Sequence, residues 1–310
     1  MKKFLAVVLS LVMLVSIIPS GILTAQAASS NGFEYTTQNG EVTITGYYGM
    51  GVDITIPDKI NNLPVTSIGS YAFQRTNLVS VHIPDSVTSI GYRAFYDCEE
   101  LKDVYITDLE AWCGIEFGSD ANPLYYAENF YIDGSLATEI EIPGSITTVP
   151  AYAFYGFKNL TSVHIPDSVT TIGAYAFHGC TRLSSVQISD SVTEIGSASF
   201  YNCSNLRNVH IPGSVTKIGS AAFFGCKEIK DIYITDLEAW CGIEFGSSGA
   251  NPLSYAENLY IDGSLITEIE IPESVTTVPA YAFYGFKNLT SVHIPDSVTS
   301  VGSEAFLGCQ

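Results

Sequence analysis

Positive charge is scarce in this chain: 13 Lys and Arg stand against 32 Asp and Glu in 310 residues. Two of the 13 are Lys2 and Lys3, so the formal charge of −19 becomes −21 downstream of them. Nucleic acid and anionic lipid both demand a basic surface, and neither is expected as a partner. The acidity does not choose a partner by itself, because it also serves solubility. Cys-x-x-Cys and calcium-loop patterns are missing, and with them the usual sequence signals of a zinc or calcium site. Beyond the N-terminus no apolar run is long enough to cross a bilayer. Trp is limited to two residues, Trp112 and Trp240.

The N-terminus reads as a leader. Lys2 and Lys3 form a positive start, Phe4 to Pro19 is apolar apart from two Ser, and Ala25-Gln26-Ala27 is a small-x-small cleavage pattern. Residues 1–27 are therefore predicted to be a secretory signal peptide rather than an anchor, with no membrane insertion after its removal.

The chain then repeats itself every 23 residues. Val163-His164-Ile165-Pro166-Asp167-Ser168-Val169 aligns with Val186-Gln187-Ile188-Ser189-Asp190-Ser191-Val192 and with Val209-His210-Ile211-Pro212-Gly213-Ser214-Val215. Such a period is the mark of a solenoid, whose units cannot bury their own apolar faces and stack on their neighbours. Ten alternating segments are predicted as strands, centred on Ile54, Val81, Val104, Ile140, Val163, Val186, Val209, Ile232, Ile269 and Val292. Asn39-Gly40, between two alternating runs, predicts a hairpin that caps the first unit, so residues 31–62 are assigned to the cap and first strand.

Within a unit the order is strand, Pro-Asp-Ser turn, extended Val-Thr-x-Ile and a one-turn helix at Ala-Phe. Gly91, Gly173, Gly196, Gly219 and Gly302 precede that helix. Pro150 and Pro279 fill the same slot, and Pro cannot take positive φ. The slot is thus predicted to need a tight turn, not a left-handed residue. Cys98, Cys180, Cys203, Cys226 and Cys309 share one column with Thr76, Phe157 and Phe286. That mixture predicts buried packing thiols rather than disulfides, despite an odd total of seven Cys.

Two units are longer, at 103–142 and 231–271. Each opens on Ile-Thr-Asp-Leu-Glu-Ala-Trp-Cys, read as a helix with an Asp N-cap, and contains an Asp-Gly hairpin at 133–134 or 262–263. The Trp of each is expected to anchor the longer unit on the core. Residues 147–170 and 276–299 are identical, so a block was duplicated and residues 31–310 form one solenoid. The chain stops mid-repeat at Cys309-Gln310, from which a fragment of a longer protein is expected.

The pattern Leu-x-x-Val-x-Ile-Pro-x-Ser-Val-x-x-Ile-Gly-x-x-Ala-Phe-x-x-Cys, intact at Leu160–Cys180, resembles the BspA-like leucine-rich repeat family. The resemblance covers nearly everything after the leader. It implies an α/β, β-rich right-handed solenoid with a concave parallel sheet and short helical turns. It also implies a secreted or bacterial cell-surface protein that adheres to host or neighbouring-cell surface molecules, with no cofactor.

Alternate strand residues face opposite sides. With Val163 and Ile165 inward, the outward ladder reads Asp53/Thr55, Ser80/His82, Asp103/Tyr105, Glu139/Glu141, Ser162/His164, Ser185/Gln187, Asn208/His210, Asp231/Tyr233, Glu268/Glu270 and Ser291/His293. Those from Ser80 onward are the candidate binding residues. Catalysis by Ser and His is disfavoured, because the pair recurs on an open sheet without a unique pocket. Metal binding by Glu141 with His164, or Glu270 with His293, leaves a first shell underfilled; a Glu–His hydrogen bond is the plainer expectation. Non-enzymatic recognition of a protein or glycan fits a long polar face best. The competing reading is a structural spacer whose effector lies beyond residue 310.

Overall fold

A computed structural model describes residues 26–309; the predicted leader lies outside them except for Gln26 and Ala27. The 23-residue period appears as coils stacked through parallel strand pairs. Ser162–His164 pairs Glu139–Glu141 on one side and Ser185–Gln187 on the other, with Val163 opposite Ile140 and Val186. The alternation sets the faces as expected: Val163, Ile165, Ile172, Phe177 and Leu183 are all buried while His164 is exposed. Inside the stack, Phe154, Phe177, Phe200 and Phe223 form a column of near-parallel rings 5.3–5.4 Å apart.

Each coil carries a second strand at the segment expected to be merely extended. Thr148–Val149, Thr171–Ile172, Glu194–Ile195, Lys217–Ile218 and Glu244–Phe245 make a second parallel sheet. The cap heads the corresponding but separate sheet of the first coils, with Leu63–Ile68, Ser89–Ile90 and Glu116–Phe117. Gln26–Ser30, Phe33–Gln38 and Glu41–Tyr47 are antiparallel, and Glu41–Tyr47 then runs parallel to Leu63–Ile68. Asn39 and Gly40 both take positive φ, 54° and 83°, as the tight hairpin requires. A further hairpin at Asn31-Gly32 adds the strand Gln26–Ser30, which had not been anticipated.

The expected single sheet of about ten rungs is instead three sheets. In each long unit the Asp-Gly hairpin adds a rung, Asn129–Ile132 or Asn258–Ile261, and then an antiparallel strand, Ser135–Ala137 or Ser264–Ile266. The antiparallel strand occupies the hydrogen-bonding edge on which the next parallel rung would have paired. Glu139–Glu141 and Glu268–Glu270 therefore start new sheets. Asp133 and Gly134, like Asp262 and Gly263, have positive φ at the hairpin tips.

The Ala-Phe segments are turns, not one-turn helices. Tyr152, Tyr175, Ala198 and Ala221 sit at φ between 52° and 63°, and a left-handed residue interrupts helical winding. Each is held there by the next coil: the Tyr175 amide donates to Ser197 O at 2.9 Å and the Ala198 amide to Ser220 O at 3.0 Å. A second left-handed column lies just before the Cys column, at Asp97, Gly179, Asn202 and Gly225. These are residue types that adopt the conformation at little cost.

The Gly before the Ala-Phe turn has another cause. A Cβ on Gly173 would lie 2.5 Å from the Ala151 amide nitrogen, and one on Gly196 would lie 2.6 Å from that of Ala174. The clash is always with the preceding coil. Pro150 and Pro279 follow Thr148–Val149 and Thr277–Val278, the first rungs of their sheets, where no preceding rung pairs. Packing, rather than backbone dihedral, divides Gly from Pro at this slot.

All seven Cys are free, and those of the repeat column each bond a main-chain carbonyl of the preceding coil. Cys180 Sγ donates to Phe154 O at 3.3 Å, Cys203 Sγ to Phe177 O at 3.2 Å and Cys226 Sγ to Phe200 O at 3.0 Å. Thr76 differs in donating its hydroxyl to Phe73 O of its own turn at 2.8 Å, the same carbonyl that Cys98 Sγ reaches from the next coil. Burial drives the thiol pKa values up, well above the ordinary value for Cys180 and Cys203 and to about 12 for Cys113 and about 11 for Cys241.

Two measurements follow. Gly173→Ala should cost about 1–3 kcal/mol through overpacking, and Pro150→Ala in the same slot less than about 1 kcal/mol; equal shifts in urea midpoint would refute the packing account. For the thiols, the folded pKa lies above the unfolded one, so their stabilisation is complete below pH 9 and fades as pH rises toward 11–12. Alkylation of the folded protein near pH 9 should label half-buried Cys309 first and the other six after unfolding. Thiols that stay unlabelled in denaturant would reveal disulfides and sink the packing explanation.

Candidate functional site

The sequence-derived ladder lies on one strand face, and most of it is accessible. His82, His164, His210 and His293 are exposed, as are Glu139, Glu141, Ser185, Gln187, Asn208, Tyr233, Glu268, Glu270 and Ser291. Asp103, Tyr105, Ser162 and Asp231 are half-buried. Ser80 departs from expectation: it is buried, its hydroxyl donating to Asp53 Oδ1 at 2.9 Å. An exposed ladder position it is not, because the neighbouring carboxylate folds over it.

Rung contacts fix which side chains remain available. Asn129 Nδ2 donates to Asp103 Oδ1 and Asn258 Nδ2 to Asp231 Oδ1, both at 2.8 Å. Glu141 stands opposite His164, and Glu270 opposite His293, as the register predicts. The expected Glu–His bond is not the one His164 makes: its Nδ1 lies 3.0 Å from Gln187 Oε1 on the other neighbouring rung. Among the described residues no Ser hydroxyl is hydrogen-bonded to a His ring, and no three His, Cys, Asp or Glu converge as a metal shell.

Aromatic stacking concentrates where the long units join the ladder. His82 and Tyr105 stack at 4.2 Å with 6° between planes, and Tyr105 stacks on Tyr131 at 4.5 Å and 10°. In the second long unit Tyr233 stacks on Tyr260 at 4.9 Å, with His210 in register on the preceding rung. Tyr131 and Tyr260 were missed because their strands were assigned to hairpins alone; the spacing of Phe130 and Ile132 to either side was the available signal. Partial burial, then the adjacent Asp103 or Asp231, raises the pKa of the Tyr105 and Tyr233 phenols, which stay neutral.

The hairpin tips wall off a groove beside each aromatic group. The first, about 530 Å³, has Ile56, Ile83 and Ile106 at its floor, with His82 and Tyr105 along one side and Asp133-Gly134 closing an end. The second, about 480 Å³, repeats it with Ile234, His210, Tyr233, Tyr260 and Asp262-Gly263.

Each long unit is locked to the next coil by residues whose roles were legible unequally. Trp112 Nε1 donates to Ala153 O at 2.9 Å and Trp240 Nε1 to Ala282 O at 2.8 Å, so both Trp anchor their units as expected. Buried Asn122 and Asn251 went unrecognised. Asn122 Nδ2 donates to the carbonyls of Tyr152 and Ala153, both at 2.8 Å, while its Oδ1 accepts from the Leu124 amide at 2.9 Å. Asn251 repeats the arrangement. Asp108 and Asp236 cap the helices Leu109–Cys113 and Leu237–Cys241, accepting from Glu110 N and Ala239 N.

With this geometry in hand, the chain belongs to the family of BspA type leucine rich repeat regions, whose model matches six copies at residues 52–112, 126–240 and 256–310. The chain is similar to a leucine rich cell surface protein from Faecalibacterium prausnitzii A2-165, at 25% identity over 92% of each chain with a TM-score of 0.47. It is also similar to a leucine-rich repeat protein from Eubacterium ventriosum ATCC 27560, at 23% identity over 90% of this chain and 93% of that one with a TM-score of 0.46. The pneumococcal vaccine antigen PcpA shares 15% identity over 91% of this chain and 94% of its own, with a TM-score of 0.42. No curated protein matches the sequence. Among the described residues no helix is long and apolar enough to cross a membrane.

Asn122→Ala should cost about 1–3 kcal/mol, since the buried Leu124 amide loses its partner while the Tyr152 and Ala153 carbonyls keep only Tyr155 N and Trp112 Nε1. Asn122→Asp, which can accept but not donate, should also destabilise. A urea midpoint unchanged by either substitution would show that the long unit is not held through this side chain.

Proposed function

We propose that this chain is a non-enzymatic recognition module, exported to the bacterial surface, that binds a protein or glycan of a host or neighbouring cell through its ladder face. The observation that carries the reading is the paired aromatic stack at the long units. Rings held face to face by adjacent rungs present rigid edges at little entropic cost, which is what an interface anchor needs. Across the rungs the outward residues are His, Tyr, Asn, Gln, Ser, Thr and carboxylates, with no Lys or Arg. That composition supports polar recognition over an extended surface. The similarity to a leucine rich cell surface protein supports display outside the cell.

Capture of surface-matrix proteins and glycans by the chain, compared with Tyr105→Ala/Tyr233→Ala, tests the reading. Each change should weaken binding by about 1–2 kcal/mol and leave folding stability nearly intact. Binding that survives the double change counts against the aromatic stacks as anchors. If it is then lost on altering the hairpin tips at 133–134 and 262–263, the long units themselves are the binding element.

A further inference from the structure

The first groove has a composition that selects among partners. Its floor is apolar, from Ile56, Ile83, Ile106 and Pro84, and its side is the His82–Tyr105 stack. Its rim carries Asp58, Asp85 and Asp133, three exposed carboxylates brought together from three separate turns. No Lys or Arg lines it, and among the described residues the ion pairs are Arg75–Asp97, Arg93–Asp120 and Lys217–Glu194, all elsewhere. Thr107 Oγ1 lies 2.7 and 2.8 Å from the two carboxylate oxygens of Asp85, which fixes that group at the rim. An anionic ligand would meet unrelieved repulsion here, and a neutral sugar could donate hydroxyls to the carboxylates but would leave their three charges unbalanced.

We propose that this groove receives a basic side chain of a peptide partner, its aliphatic stem on the isoleucine floor and its cationic head among the three aspartates. Lys and Arg combine those two parts in one side chain. The second groove is a weaker copy. It keeps Asp190 and Asp262, but Gly213 stands where the first has Asp85. Thr235, with no carboxylate to hold, accepts the Gly213 amide at 3.0 Å instead. The proposal rests on the ladder face being a recognition surface and names the chemistry of what it recognises.

The test is calorimetric titration of the full chain with tetra-arginine, tetra-lysine and tetra-citrulline peptides in about 0.15 M salt, where long-range attraction is screened. Asp58→Asn/Asp85→Asn/Asp133→Asn should weaken binding of the basic peptides about tenfold. Asn tolerates the left-handed backbone at position 133 and still accepts from Thr107 at position 85, so folding is preserved. Asp167→Asn/Glu273→Gln/Asp296→Asn changes net charge equally but lies outside both grooves, and should weaken binding less than about twofold. Tight binding of the citrulline peptide, or equal losses in the two triple variants, overturns the proposal. If no basic peptide binds while Tyr105→Ala/Tyr233→Ala still abolishes partner capture, the groove assignment fails and the recognition reading stands. Failure of both assays removes both.

Discussion

Every coil of this protein depends on the next one for its backbone hydrogen bonds. Tyr175, Phe177 and Gly179 donate their amides to Ser197, Ser199 and Tyr201 one coil on, at 2.7–2.9 Å, and Gly173 donates to Val149 one coil back at 2.8 Å. A single unit has neither a sheet nor a closed core of its own. The turn backbone is therefore fixed by its neighbour rather than by local preference. This explains how Tyr175 and Ala198, poor candidates for a left-handed conformation, come to hold it. The same constraint makes Gly173 and Gly196 necessary, because turns stacked this closely leave no room for a Cβ.

What could be read in the sequence is what repeats with a single cause. Alternation of Val163 and Ile165 with Ser162 and His164 set the register correctly, and the Cys column was correctly seen as packing. Its mixture of Cys, Thr and Phe still hid a second cause. Cys203 and Thr76 both satisfy a carbonyl of a buried Phe, which no composition argument could reveal. The left-handed column Asp97, Gly179, Asn202, Gly225 was legible in principle, since those residue types share little else. It was overshadowed by the more regular Gly column nearby, whose cause is steric.

The misreadings at the candidate site come from the long units, where the period breaks. Counting strands by periodicity put Glu139–Glu141 directly after Asp103–Ile106 and skipped Asn129–Ile132. Tyr105 was thereby given the wrong neighbour, and the stack with Tyr131 stayed hidden. Ser80 was lost differently. Position on a strand face predicts direction, but not whether an adjacent side chain such as Asp53 closes over it. Direction is a backbone property, whereas accessibility depends on the pair.

A long unit is costly to a solenoid, because its antiparallel hairpin ends a sheet and forces the next coil to start another. Trp112 and Asn122 hold the coils together across that break through buried hydrogen bonds to Ala153, and Trp240 and Asn251 do so to Ala282. Ordinary coils carry a groove on this face as well, lined by Glu139, Glu141, His164 and Gln187. The interruption adds relief of another kind: a groove forms between the hairpin tip, the aromatic stack and the turns of the preceding coils. One of the differences between the two blocks falls at the same place. The segments 147–170 and 276–299 remained identical, while Asp85 in the first groove corresponds to Gly213 in the second. The fold does not require that difference, since both residues occupy exposed turns. It alters what the two grooves can hold while leaving the coils that carry them unchanged.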